Sequence, residues 1–280
     1  MTLAIHPTTK AQMNLIIENS PHAVLVTGSK GIGKLSIANF IASTIFNKTS
    51  DFTQHVRSFS AKDKNFGIET IEEIQKFLKT KHKYSNAINK IVVIDNLQEL
   101  SFPAQNMILK TLEEPPAGSM LILCTPNKNM VLQTIVSRCQ SLNIITPSKT
   151  ELKTFFINQS FQDNAIEDAY KLSNGLPGLM SAILNQQDHP LKTATEFAKD
   201  LLTSSHFNKL CLIDALSSDK SLLSDVTYML QQISQNAIQK SSDIQSIKWS
   251  KVLEAAYQAD VMLSKNVNSK LVCNKLMLSL

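Results

Sequence analysis

Residues 23–36 read AVLVTGSKGIGKLS. The run from Ala23 to Thr27 is apolar and ends at Gly28, the pattern of a buried parallel strand feeding a turn. Gly28, Gly31 and Gly33 then space out a short loop that closes on Lys34. From Ile37 to Phe46, IANFIASTIF repeats apolar residues at helical spacing. Strand, glycine loop and helix form the setting of a phosphate-binding loop, G-x-x-x-x-G-K-[S/T]. There the backbone N–H groups line a nest for phosphate oxygens, and the lysine reaches the β- and γ-phosphates. The residue after the lysine should carry a hydroxyl for Mg²⁺, and here it is Leu35. Ser36 is one position on, about 100° round the helix. Phosphate binding is therefore expected to survive while the magnesium geometry is damaged. An ordinary strand-to-helix turn would explain the same glycines and lysine.

A second station lies at KIVVIDNLQEL, residues 90–100. This is a strand ending in Asp95, where a phosphate-loop ATPase places the acid that helps hold Mg²⁺. Such enzymes often put a glutamate next, to activate the attacking water. Asn96 follows here, and an amide orients water without taking its proton. Catalysis in the chain's own site thus looks disabled twice. Asp95 as a helix cap is the plainer alternative.

Outward from these stations, strands alternate with helices. A strand is expected near VRSFS (56–60), a helix over 68–79, and a helix over 101–116 with Ser101 as N-cap and Pro115–Pro116 as stop. A buried strand over 119–126, a helix over 127–138 and a last strand over 139–145 follow. This alternation argues for an α/β fold with a parallel sheet covered on both faces. The pattern changes at Pro147. Ser148-Lys149-Thr150-Glu151 is a capping box, a second helix ends at Gly175, and Pro177 opens a third. From His189 onward only helical periodicity is seen. The expected division is a phosphate-loop core over 1–147, a three-helix lid over 148–188 and an all-α bundle over 189–280.

Composition narrows the class further. The chain has 280 residues, 7 glycines and a net charge of +5, which leans towards helix and is compatible with a nucleic-acid partner. Its four cysteines, Cys124, Cys139, Cys211 and Cys273, form no C-x-x-C pair, so no zinc site is expected. The N-terminus lacks the pattern of a secretory leader, and no apolar run approaches the ~18 residues of a membrane span. A cytoplasmic protein with no membrane partner is the expectation.

The third station is AQNMILKTLEEPP (104–116), followed by LILCTPNKNMVLQTIVSRCQ (121–140). It resembles the clamp-loader branch of the AAA+ family, whose members carry N-x-L-L-K-x-L-E-E-P-P, an apolar strand and then T-I-x-S-R-C. Asn106, Lys110, Leu112, Glu113, Glu114, Pro115 and Pro116 match the first signature. Thr134, Ile135, Ser137, Arg138 and Cys139 match the second. The resemblance covers roughly residues 10–190 and implies that the C-terminal bundle is an oligomerising collar.

It also implies roles for particular residues. Gly28, Gly31, Gly33, Lys34, Asp95 and Thr125 would form a degenerate nucleotide site, with ATP bound weakly or vestigially. Arg138 would act in trans on nucleotide held by a neighbouring subunit. Motor subunits of the family keep the hydroxyl after the lysine, an Asp-Glu pair, an arginine in the lid and a cysteine-rich zinc module. This chain has Leu35, Asn96 and Pro177; it also has no cysteine in 47–66, a departure from many non-motor members as well as from the motors, which leaves that stretch unassigned. The resemblance therefore implies a non-motor subunit without autonomous ATPase activity. Its expected partners are the motor and delta subunits and, through the assembly, the sliding clamp and primed DNA. An active motor and a nucleotide-independent scaffold remain as alternatives.

Plainer roles stand beside these. Arg138 also suits the C-terminal dipole of the helix before it, and Thr125 suits a turn. Glu113 and Glu114 point about 100° apart on a helix, which favours helix-end and interface roles over acid–base chemistry. Lys76, Lys79, Lys81, Lys83 and Lys90 form a loose basic zone, read as a solvated face because no aromatics interleave to stack bases.

Overall fold

The computed structural model describes residues 3–46, 52–63, 66–80, 88–240 and 243–280. The chain divides into two compact units, Met1–Leu152 and Lys153–Leu280. Lys81 and Lys83 of the basic zone, and part of the 47–66 stretch, lie outside the described residues.

The first unit runs α1 (Pro7–Asn19), β1 (Ala23–Thr27), α2 (Lys34–Ile45), α3 (Phe52–His55), β2 (Val56–Ser60), α4 (Ile68–Lys79), β3 (Lys90–Asp95), α5 (Phe102–Glu113), β4 (Ser119–Thr125), α6 (Gln133–Val136) and β5 (Gln140–Asn143). The five strands form one sheet in the order β2-β3-β4-β1-β5, and every pairing is parallel. Period-two alternation gives the three inner strands β3, β4 and β1 two apolar faces. Val24, Val26, Ile91, Val93, Ile122 and Cys124 face α1 and α2 through Ile16, Ile37 and Ile41. Leu25, Val92, Ile94, Leu121 and Leu123 face α4 and α5 through Ile71, Ile74, Ile108 and Leu112. Burial on both faces is why these strands read as unbroken apolar runs.

Local signals set the element ends. The Ser101 hydroxyl accepts from the Ala104 amide at 3.4 Å and starts α5. The helix expected over 127–138 is not continuous. A 3-10 turn spans Lys128–Met130, Val131 is extended, and α6 is a single turn. The Asn127 side chain accepts from the Asn129 amide at 3.0 Å, and the Gln105 side chain accepts from the Leu132 amide at 3.1 Å. Both amides are thereby bonded to side chains outside a helical ladder.

At the boundary, α7 (Lys149–Ile157) starts at the capping box: Glu151 accepts from the Ser148 amide at 2.7 Å, and Ser148 accepts from the Glu151 amide at 3.3 Å. The second unit continues with α8 (Asp163–Ser173), α9 (Pro177–Leu184), α10 (Pro190–Thr203), α11 (His206–Cys211), α12 (Ile213–Ser218), α13 (Lys220–Lys240), α14 (Asp243–Ser264) and α15 (Ser269–Ser279). Asn174, left-handed at φ 59°, ends α8, and Pro177 opens α9. Leu176 and Leu179 join Leu191, Leu223, Leu230 and Leu276 in one apolar core. Among the described residues, no helix is long and apolar enough to cross a membrane.

Candidate functional site

In an open parallel sheet, ligand sites form beyond the carboxyl ends of the strands. Here β3, β4 and β1 are neighbours, with Thr27 in register with Thr125 and Ile94 with Leu123. The glycine loop after β1, Asp95 ending β3 and Thr125 ending β4 therefore gather at one edge. The sheet brings together what the sequence holds far apart.

Two of the glycines are needed for different reasons. Gly33 sits at φ 96° as N-cap of α2, and a Cβ there would have nothing within 4 Å. Its requirement is purely one of backbone conformation. At Gly28 a Cβ would stand 3.2 Å from both Ile144 Cβ and Ile32 Cγ2, so a side chain there would crowd its neighbours and force them to shift.

Lys34 is buried, and its Nζ donates to the carbonyls of Gly28 at 2.9 Å and Ser29 at 3.0 Å. Two of the three ammonium protons are thus bonded to the loop itself. Burial lowers its pKa below the usual lysine range, and the Asp95 carboxylate partly offsets this. Leu35 is partly exposed and offers no ligand atom.

Asp95 is shifted the other way: burial raises its pKa against the opposing pull of hydrogen bonds from Asn96 and the charges of Lys34 and Lys62. The Asn96 amide donates to Asp95 Oδ2 at 2.8 Å. Asn96 is itself left-handed, at φ 56° and ψ 44°, and caps the 3-10 turn Leu97–Glu99. Asparagine enters this region readily, where a glutamate would be strained. Thr125 is buried, and its hydroxyl donates to the Asn127 carbonyl at 3.2 Å, which closes the turn after β4.

Arg138 follows α6, and its side chain bonds to Thr134, Ser137 and Glu113. Its Nη1 donates to the Thr134 carbonyl at 3.0 Å, and its Nη2 pairs with Glu113 Oε1 at 2.8 Å. The side chain remains 36% exposed. Sequence reasoning gave the dipole contact at α6 but missed Glu113 as a partner. The available signal was a carboxylate at the C-terminus of α5, where the helix dipole disfavours it. Gln105 was missed too. It is buried, donates to the Leu100 carbonyl and accepts from the Leu132 amide, both at 3.1 Å.

The remaining candidates hold structural positions. Burial pushes the Cys139 thiol up to about 12 and raises that of Cys124 as well, which keeps both protonated at neutral pH. Lys90 is buried and lies 4.4 Å above the Phe77 ring, with Arg57 at 4.5 Å from the same ring. It belongs to a cation–π cluster and not to the solvated face expected for the basic zone. Among the described residues, no group of three or more His, Cys, Asp or Glu side chains could hold a metal ion.

A parallel sheet of this order, with the glycine loop on β1 and an acid closing β3, defines an α/β fold of AAA+ type. A gamma subunit-related protein of DNA polymerase III from Thermotoga maritima shares it, with a TM-score of 0.55 and 18% identity over 97% of this chain and 98% of that one. The family model described as "DNA polymerase III, delta subunit" matches residues 6–148, and the chain belongs to that family. The tau subunit of Bacillus subtilis is 32% identical over 152 residues, which are 48% of this chain and 26% of that protein. The delta′ subunit of Escherichia coli is 31% identical over 124 residues, 44% of this chain and 36% of that one. The chain thus spans well under half the length of either curated relative.

Proposed function

We propose that this chain is a non-motor, delta′-type subunit of a bacterial DNA polymerase III clamp loader. In this reading it assembles with motor and delta subunits, helps place the sliding clamp on primed DNA, and presents Arg138 to nucleotide bound by the adjacent motor. A guanidinium beside a γ-phosphate stabilises charge that develops during phosphoryl transfer, an effect of about 10³–10⁵ in rate in the GTPase cases.

The observation that carries the reading is a contrast between two cations. Lys34 is turned onto its own loop carbonyls, beside a leucine where a magnesium ligand belongs and an asparagine where a base belongs. Arg138 is anchored by Thr134 and Glu113 and its side chain stays partly exposed. The chain's own site is poor in catalytic groups, while the Arg138 guanidinium is bonded to none of that site's residues.

The test is ATP hydrolysis by the chain alone and by its mixture with the matching motor and delta subunits, on primed DNA with clamp, for wild type and Arg138→Ala. The expected result is silence alone, strong activity in the mixture and a large loss with Arg138→Ala. Robust hydrolysis by the pure chain overturns the reading. A motor role draws support from the retained Lys34 and from matches to tau and gamma subunits. It requires that isolated wild-type protein hydrolyse ATP and that Leu35→Thr change this little.

A further inference from the structure

Helix α5 holds the Arg138 segment at both of its ends. Near its start, the buried Gln105 bridges the Leu100 carbonyl and the Leu132 amide, each at 3.1 Å. This fixes the chain just before α6. At its last residue, Glu113 pairs with Arg138 Nη2 at 2.8 Å, just after α6. A carboxylate at a helix C-terminus is opposed by the helix dipole. Arg138 compensates that charge, and the Thr134 carbonyl takes a second hydrogen bond from the same guanidinium at 3.0 Å.

A guanidinium has five N–H donors in a fixed plane. With Nη2 tied to Glu113 and Nη1 to Thr134, the plane is oriented, and other donors, among them Nε–H, remain for an external anion. An unheld arginine would lose side-chain freedom on reaching a phosphate, whereas a braced one is already ordered.

We propose that Glu113 is a positioning residue for Arg138. Its carboxylate orients the guanidinium towards a phosphate presented by a neighbouring subunit, while Gln105 fixes the segment that carries it. This rests on the trans-acting role of Arg138 given above. Glu113 touches no nucleotide in this scheme and acts only through the arginine.

The test is a double-mutant cycle in the reconstituted assembly on primed DNA with clamp. Wild type, Glu113→Ala, Arg138→Ala and the double variant are compared for kcat and for KM of ATP. Glu113→Ala is expected to lower kcat about tenfold, as a misoriented group does, and to leave KM unchanged. Combined with Arg138→Ala it is expected to add no further loss. Glu113→Gln keeps an accepting oxygen and is expected to fall between wild type and Glu113→Ala. Urea midpoints of the isolated variants are expected to match wild type, since the pair is solvent-exposed.

A normal or raised kcat with Glu113→Ala overturns the proposal, as does an equal loss in the Arg138→Ala background. If Arg138→Ala is slow while Glu113→Ala is fast, only the positioning role fails. If Arg138→Ala itself is fast, the trans-acting reading fails and this one with it.

Discussion

Under the proposed function, a glutamate after Asp95 is the obvious way to try to give the chain's own site a base, and the structure opposes it. Asn96→Glu places a longer side chain on a left-handed backbone, at φ 56° and ψ 44°. That conformation disfavours most L-residues by about 1–2 kcal/mol, and asparagine is among the few that visit it routinely. The change also removes the amide that donates to Asp95 Oδ2 at 2.8 Å. A hydrogen bond to a charged group contributes about 1.5–3 kcal/mol, and the lower end applies at a partly exposed site. A second carboxylate would then stand beside an acid whose pKa burial has already raised. The sum is a loss of about 3 kcal/mol. With an m-value near ~2 kcal/mol/M, the urea midpoint of the first unit should fall by roughly 1.5 M. Far-UV circular dichroism in urea, with hydrogen exchange at residues 90–95 as a local probe, measures it. Asn96→Gly frees the backbone and loses only the hydrogen bond, so its drop should be roughly half as large. Hydrolysis by Asn96→Glu should stay at background, because Leu35 still supplies no metal ligand. A midpoint within about 0.3 M of wild type, or a gain in hydrolysis, would refute the reasoning.

Two other perturbations test the glycine loop after β1, with Gly67→Ala at the start of α4 as a control. Gly33→Ala meets no steric obstacle but must adopt φ 96°, so it should destabilise by about 1–2 kcal/mol. Gly67→Ala, equally unobstructed at φ −132°, should be close to neutral in the same urea titration. Lys34 has its folded-state pKa lowered by burial, so the unfolded chain binds the extra proton between that value and the ordinary 10.5. The charged amine therefore opposes folding below this window, and the opposition fades as pH rises through it. Stability of Lys34→Met relative to wild type should accordingly decline as pH is raised towards 10.5; a flat difference across that range in urea titrations would show that folding does not displace the Lys34 pKa.

Much of the sheet was legible because its signals are local. AVLVT, KIVVID and SMLILCT are buried on both faces and read as apolar runs with no competing period. The α4 and α5 boundaries followed from periodicity and from Ser101. The 127–138 stretch was misread because its apolar spacing suits a helix, while Asn127 and Gln105 divert two amides from the ladder. Gln105 acts from a different element, so no window around residue 132 contains it. Lys90 was read as solvated for a similar reason. Its burial depends on Phe77 and on the Gln54 carbonyl, which only the fold brings near.

Sequence alone determined the α/β character, the order of strand, glycine loop and helix, and the residue types at Leu35 and Asn96. Each is a matter of residue type at a fixed spacing, and chemistry follows directly from type. Only the tertiary structure decided where the charges go. It turned Lys34 onto the carbonyls of Gly28 and Ser29, set Asn96 in the left-handed region against Asp95, and paired Arg138 with Glu113. These partners are fixed by strand order and helix packing, and a charge's neighbours in space, unlike its identity, are not encoded at any fixed distance along the chain.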